Sequence, residues 1–202
     1  MINKLLLHPD IKTQKLIDFL TSKQIELTNE KSKDSISIDK VNNKFILSLN
    51  GINQIEIDNL DDLNLLYENI QHLRAKDLAF KTRENAYTPF SKFKVGAALI
   101  SKKSQNIYSG CNVENSSYGA TICAERSAIL AAVASEGEDF EIDQLIVVAS
   151  PMSVPCALCL QVIAEFGLPN TAIYLYDLDN KSKRYLFKEL LPEPFIFKIE
   201  EP

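Results

Sequence analysis

The 202-residue chain reads as an α/β protein. Residues 61–202 are expected to form a three-layer α/β/α domain with a mixed sheet of about five strands, and residues 1–60 a small α+β appendage. Two observations predict this. After residue 60, stretches of helical period alternate with short apolar runs such as 145–149, which suit strands buried on both faces. Before residue 60, a single helical stretch gives way to residues that alternate with period two.

Taken in order, residues 10–27 place Ile11, Leu16, Ile17 and Leu20 at helical spacing, with Pro9 suited to a helix start. Ile36 and Ile38, then Phe45, Leu47 and Leu49, then Ile52, Ile55 and Ile57 alternate as strands, with turn signals at Asn42-Asn43 and Asn50-Gly51 between them. The caps and acids of residues 58–62 start a second helix, marked by Leu63, Leu66, Tyr67, Ile70 and Leu73 and ended by Pro89. Residues 95–100 and 106–112 form a hairpin. A helix over 123–135 stops at Gly137, a strand follows at 145–149, and a helix over 156–166 is closed by Gly167 and Pro169. Strands at 172–176 and 183–187 complete the sheet.

Hydrophobic residues make up 46% of the chain and charged residues 24%, with a net charge of −5. The acidic balance disfavours nucleic acid as a partner, since its binders carry basic patches. No stretch is long enough to span a membrane, and His8-Pro9-Asp10 interrupts the apolar Leu5-Leu6-Leu7, which argues against a signal peptide. Four cysteines in a chain of this size do not suggest a disulfide framework and fit a reducing cytoplasm.

The chemistry-bearing residues are Cys123-Ala124-Glu125-Arg126 and, further on, Pro155-Cys156-Ala157-Leu158-Cys159. Three thiolates would fill three positions of a tetrahedral zinc and leave the fourth open, the arrangement of a catalytic site. Glu125, two residues from a ligand, would stand beside the metal as a proton shuttle. Both cysteine groups fall at helix starts, where partial positive charge favours thiolates, and Arg126 is a candidate counter-charge. A structural zinc knuckle, with Cys111 as fourth ligand, and three ordinary buried cysteines are the alternatives. His8 and His72 lie outside any ligand spacing.

Five stretches then resemble the cytidine deaminase family, in its small, three-cysteine, homotetrameric branch. They are residues 86–98 (Ala86-Tyr87-Thr88-Pro89-Phe90-Ser91 onward to Ala98), Gly110-Cys111-Asn112-Val113-Glu114-Asn115, Ser117-Tyr118-Gly119, Ile122 to Arg126, and Pro155-Cys156 with Cys159. The similarity runs from about Leu73 to Leu191. It implies one zinc per chain on Cys123, Cys156 and Cys159, with Glu125 as the shuttle and Cys111 as no ligand. It also implies that Asn112 and Glu114 hold the ribose hydroxyls, that Phe93 packs on the base beside Ala124, and that Phe195 reaches a neighbouring subunit's site, with Phe197 competing for that role. Departures stand at Ala157-Leu158 (usually Gly-Ala), Leu160 (usually Arg) and Val154 (often Ser). The larger Leu158 is expected to crowd the cavity.

The expected activity is hydrolytic deamination of cytidine and 2′-deoxycytidine, in pyrimidine salvage in the cytoplasm. The alternatives are a deaminase of another aminopyrimidine nucleoside such as blasticidin S, a polynucleotide-editing deaminase, and a catalytically silent zinc protein that binds nucleosides or scaffolds an oligomer. Residues 1–60 carry no evident ligand set and read as a packing or oligomerisation module.

Overall fold

Alternating apolar residues can bury one face of a sheet, and those between 35 and 57 do so. The computed structural model describes residues 4–8, 11, 13–28, 35–41, 44–49 and 53–197. Strands β3 (Ser35–Val41), β4 (Lys44–Leu49) and β5 (Asn53–Ile57) follow two earlier ones, β1 (Lys4–Leu7) and β2 (Glu26–Thr28). β3, β4 and β5 form an antiparallel meander in which buried Ile38 faces Leu47 and buried Ile36 faces Leu49. The turn residues Asn42-Asn43 and Asn50-Gly51, together with Ile52 and Pro9, lie outside the described residues.

The N-terminal sheet is larger than a meander. β1 pairs in parallel with both β2 and β3, giving the order β2-β1-β3-β4-β5. The apolar run at Leu5-Leu6-Leu7 is therefore a strand, with Leu5 and Leu7 buried. Helix α1 (Gln14–Ser22) connects β1 to β2 and is shorter than the helix expected over 10–27, whose last residues belong to β2. Thr13 caps it, its Oγ1 accepting from Leu16 N at 3.3 Å.

Helix α2 (Leu63–Glu84) begins behind Asp62, whose Oδ1 accepts from Asn64 N at 3.1 Å and Leu65 N at 3.0 Å. Leu66, Ile70 and Leu73 join the core built on Leu5, Leu20, Ile38 and Leu47. Contacts divide the chain into two compact units, Met1–Asp77 and Leu78–Pro202, with the division inside α2.

The second unit holds β6 (Val95–Ser101), β7 (Ile107–Cys111), β8 (Ile142–Ala149), β9 (Ala172–Tyr176) and β10 (Ser182–Leu186), with helices α3 (Ala124–Glu136), α4 (Ala157–Phe166) and the one-turn α5 (Phe187–Leu190). The strand order is β10-β9-β8-β6-β7. Only β8 and β9 pair in parallel, and α4 lies between them in sequence. Gly137 ends α3 with φ +77°, a conformation that favours glycine.

Two glycines show the layering. A Cβ on Gly96 would come within 2.1 Å of the Ala79 carbonyl oxygen in α2, and one on Gly110 within 2.5 Å of Ala128 N in α3. Gly110 pairs with Ala97, the neighbour of Gly96, so the two glycines lie on opposite faces of the sheet. The last turns of α2 thus cover one face and α3 the other. Ala97, Leu99, Ile129, Val147, Ile163 and Leu175 form the core on the α3 side.

Candidate metal centre

Cys123 and Cys156 occupy equivalent places. Each is the N-cap of a helix, α3 and α4, in extended backbone, and neither side chain caps its own helix. Both sulfurs are therefore free to turn to other work at the positive ends of two helix dipoles. Cys159, in the first turn of α4, is fully buried. The Sγ atoms of Cys123 and Cys156 are 3.9 Å apart and those of Cys156 and Cys159 3.5 Å, and all three lie within 4.8 Å of one another. Thiolates at about 2.3 Å from a tetrahedral ion stand about 3.8 Å apart, so the cluster fits zinc. Three soft sulfur donors suit that metal in kind as well.

Arg126, one turn beyond Cys123, points back at it. Its Nη2 donates to Cys123 Sγ at 3.4 Å and to the Thr121 carbonyl at 3.0 Å. Hydrogen bonding with Cys159 and then with the Arg126 guanidinium holds the Cys123 thiol down to about 5. Cys159 moves the opposite way, pushed up by its bond with Cys123 and by burial. Glu125 is only 5% exposed, and burial, with the Cys123 charge nearby, raises its carboxyl above the ordinary range.

A cavity of about 160 Å³ opens on the cluster. Cys123, Cys156, Glu125, Ala124, Phe93 and Asn112 line it, together with Thr121, Val147, Ala149, Ser153 and Val154. Thr121 also borders a second cavity of about 410 Å³, walled by Phe90, Ser91, Glu114 and Tyr118. Asn112 and Glu114 thus face two different cavities with one residue shared between them.

Both residues are held by the backbone around them. Asn112 is 8% exposed; its Oδ1 accepts from Val95 N at 2.8 Å and its Nδ2 donates to the Phe93 carbonyl at 2.8 Å. The Glu114 carboxylate accepts from Phe90 N at 2.9 Å and Ser91 N at 3.2 Å. Hydrogen bonding to Ser91 and these amides keeps it below the usual carboxylate range.

Other sequence-marked residues lie elsewhere. Cys111, half-buried at the end of β7, stands outside the thiol cluster. Phe195 is 72% exposed and lines neither cavity; its carbonyl accepts from Gln161 Nε2 at 2.7 Å. Phe197 is also exposed. Leu158 is exposed and lines neither cavity, contrary to the crowding expected from its size, while Leu160 is buried in the core with Ile163. Thr121 and the edge-to-face pair Phe90 and Tyr118, centroids 6.0 Å apart, were not singled out from sequence, although Phe90 and Tyr118 stand inside two of the matching stretches.

A three-layer α/β/α unit that presents three thiols and a buried carboxylate from two helix starts defines a zinc-binding deaminase. Residues 69–175 match the family model described as the cytidine and deoxycytidylate deaminase zinc-binding region. The chain belongs to that family. It is 46% identical over 118 residues to a cytidine deaminase of Sporosarcina psychrophila, covering 57% of this chain and 84% of that one. It is 41% identical over 114 residues to a cytidine deaminase of Mycoplasma pneumoniae, covering 55% and 84%. Among solved structures, cytidine deaminase from Burkholderia pseudomallei superposes with a TM-score of 0.56 at 37% identity, over 61% of this chain and 98% of that chain. No helix among the described residues is long and apolar enough to cross a membrane.

Proposed function

We propose that the chain hydrolyses cytidine and 2′-deoxycytidine to the corresponding uridines, releasing ammonia. The observation that carries this is a cluster of three thiols, two of which, Cys123 and Cys156, share the wall of one cavity with the buried Glu125. Cys123, Cys156 and Cys159 hold one zinc ion per chain, and the ion when bound supplies a Lewis acid that makes water nucleophilic near neutral pH.

The protein's own groups do the rest. Phe93 and Ala124 line the cavity that takes the base. Glu125 accepts the proton of the attacking water, gives it to the ring nitrogen beside C4, and passes a proton to the departing amine. Asn112 and Glu114 take the sugar hydroxyls. Asn112 has one N–H and one lone pair left after its two backbone bonds, and ionised Glu114 keeps spare lone pairs. Arg126 offsets the charge of the thiolates through Cys123.

The assembly is a homotetramer, in which Phe195 reaches the site of a neighbouring copy. The exposed apolar residues Phe195, Phe197, Leu158 and Tyr118 support an interface between copies. Four free thiols support a reducing compartment, the cytoplasm, and a role in pyrimidine salvage. The test is chromatographic: purified protein converts cytidine to uridine with one ammonia per turnover. Free cytosine, which lacks the diol, reacts far more slowly, and equal rates on the two would overturn the sugar-binding roles.

A further inference from the structure

We propose that the first unit carries a binding site for a small organic phosphate, its phosphate held by Lys15 and Lys40 and its apolar body lying on Phe45. The site is a cavity of about 540 Å³, larger than either cavity at the metal centre, and the described residues that line it lie between 11 and 63. That size lies within the range of small-molecule sites. It stands outside the family match, which begins at residue 69.

The floor is apolar. Ile11 and Leu16 are buried, and Phe45 and Leu63 complete the surface. The rim is cationic. Lys40 on β3 pairs with Phe45 on β4, so cross-strand register sets the two side chains on one face of the sheet. Lys15 lies in the first turn of α1. Neither lysine has an ion pair among the described residues, in a chain whose net charge is −5.

The other polar groups sort the ligand further. Thr13 Oγ1 accepts from Leu16 N, which leaves its own proton to donate. The first turn of α1 contains no acid, so no side chain there neutralises the lysines or the dipole. Among the described residues Asp61 is the single acid on the wall, against two lysines, and Asp62 is occupied in capping α2. Two lysines and a threonine on one cavity wall match a dianion with three oxygens better than a carboxylate with two. The apolar floor requires a body behind that anion, so an ester fits and a bare phosphate ion does not satisfy it.

The experiment titrates phenyl phosphate into the full-length zinc-loaded protein by calorimetry, with inorganic phosphate and phenol as comparisons. Saturable binding at one site per chain is expected, at least ~10-fold tighter than for either comparison compound. In a Lys15→Gln, Lys40→Gln double variant, affinity falls at least ~10-fold, the loss typical of charge-assisted hydrogen bonds. Zinc content and turnover of cytidine stay unchanged in that variant, which shows an intact fold. Saturating cytidine leaves the binding in place. Absence of saturable binding at millimolar concentration, equal affinity in the lysine variant, or displacement by cytidine would each overturn the proposal, and none of them bears on the deaminase activity.

Discussion

Arg126 Nη2 lies 3.4 Å from Cys123 Sγ, and the same nitrogen is anchored at 3.0 Å by the carbonyl of Thr121, a residue on the wall of both site cavities. A three-thiolate zinc carries a formal negative charge and is a weak Lewis acid unless cations and dipoles offset it. The guanidinium is placed to do this without competing as a ligand. Arg126→Gln is therefore expected to keep the fold and lower zinc affinity or turnover by roughly 10–100-fold, the usual effect of losing a group that orients a metal ligand. Zinc competition with a chelator and turnover at saturating cytidine measure the two effects. Wild-type values in both would show that Arg126 is only a surface contact.

Asn112 separates structure from binding. Its side chain satisfies the Val95 N–H and the Phe93 carbonyl at the start of β6. Asn112→Ala leaves both backbone groups without those partners, at a cost of about 2 kcal/mol or more. Glu114→Gln keeps the side chain's size and an acceptor oxygen, and should cost less stability than Asn112→Ala while raising KM for cytidine. Urea denaturation and steady-state kinetics on the two variants distinguish the cases. Equal stability of Asn112→Ala and the wild type would mean that those hydrogen bonds contribute nothing.

Glu136, at the end of α3, receives hydrogen bonds from Ser101 and Ser104 around the β6–β7 turn and from Tyr108 on β7. Burial alone would raise its carboxyl, but the bonds from Ser104, Ser101 and Tyr108 outweigh it and hold the group below its ordinary value. A depressed carboxylate stabilises the fold in full above its unfolded value and loses that contribution as pH falls through the folded one. The Tm gap between wild type and Glu136→Gln should be constant above about pH 5 and narrow at lower pH. A gap that widens as pH falls would contradict the assignment.

The second unit was largely legible in the sequence because its signals are local. Gly137 stops α3 in the left-handed region, and the apolar run at 145–149 lies within β8, which extends back to Ile142. β1 was missed for the opposite reason. Its partners β2 and β3 lie roughly twenty and thirty residues away, and four residues alone show no period. At the site, the thiols could be listed from spacing, but their approach to within 4.8 Å depends on two separate helices. The amides that hold Glu114 come from Phe90 and Ser91, more than twenty residues away, and no motif announces them. Leu158 and Leu160 show how helical geometry decides a departure. Leu160 is one turn from Ile163 and enters the core with it, while Leu158 faces out.

If Glu125 moves the protons of a hydrolytic deamination at the three-cysteine centre, its loss stops turnover without loss of zinc. The most direct measurement follows the ultraviolet band of cytidine with wild-type and Glu125→Gln proteins of equal zinc content by elemental analysis. Rapid loss of the band is expected with the wild type and a rate at least ~10²-fold lower with Glu125→Gln, the effect of removing a general acid–base group. Near-normal turnover by a zinc-replete Glu125→Gln protein, or no turnover by a zinc-replete wild type, would contradict it.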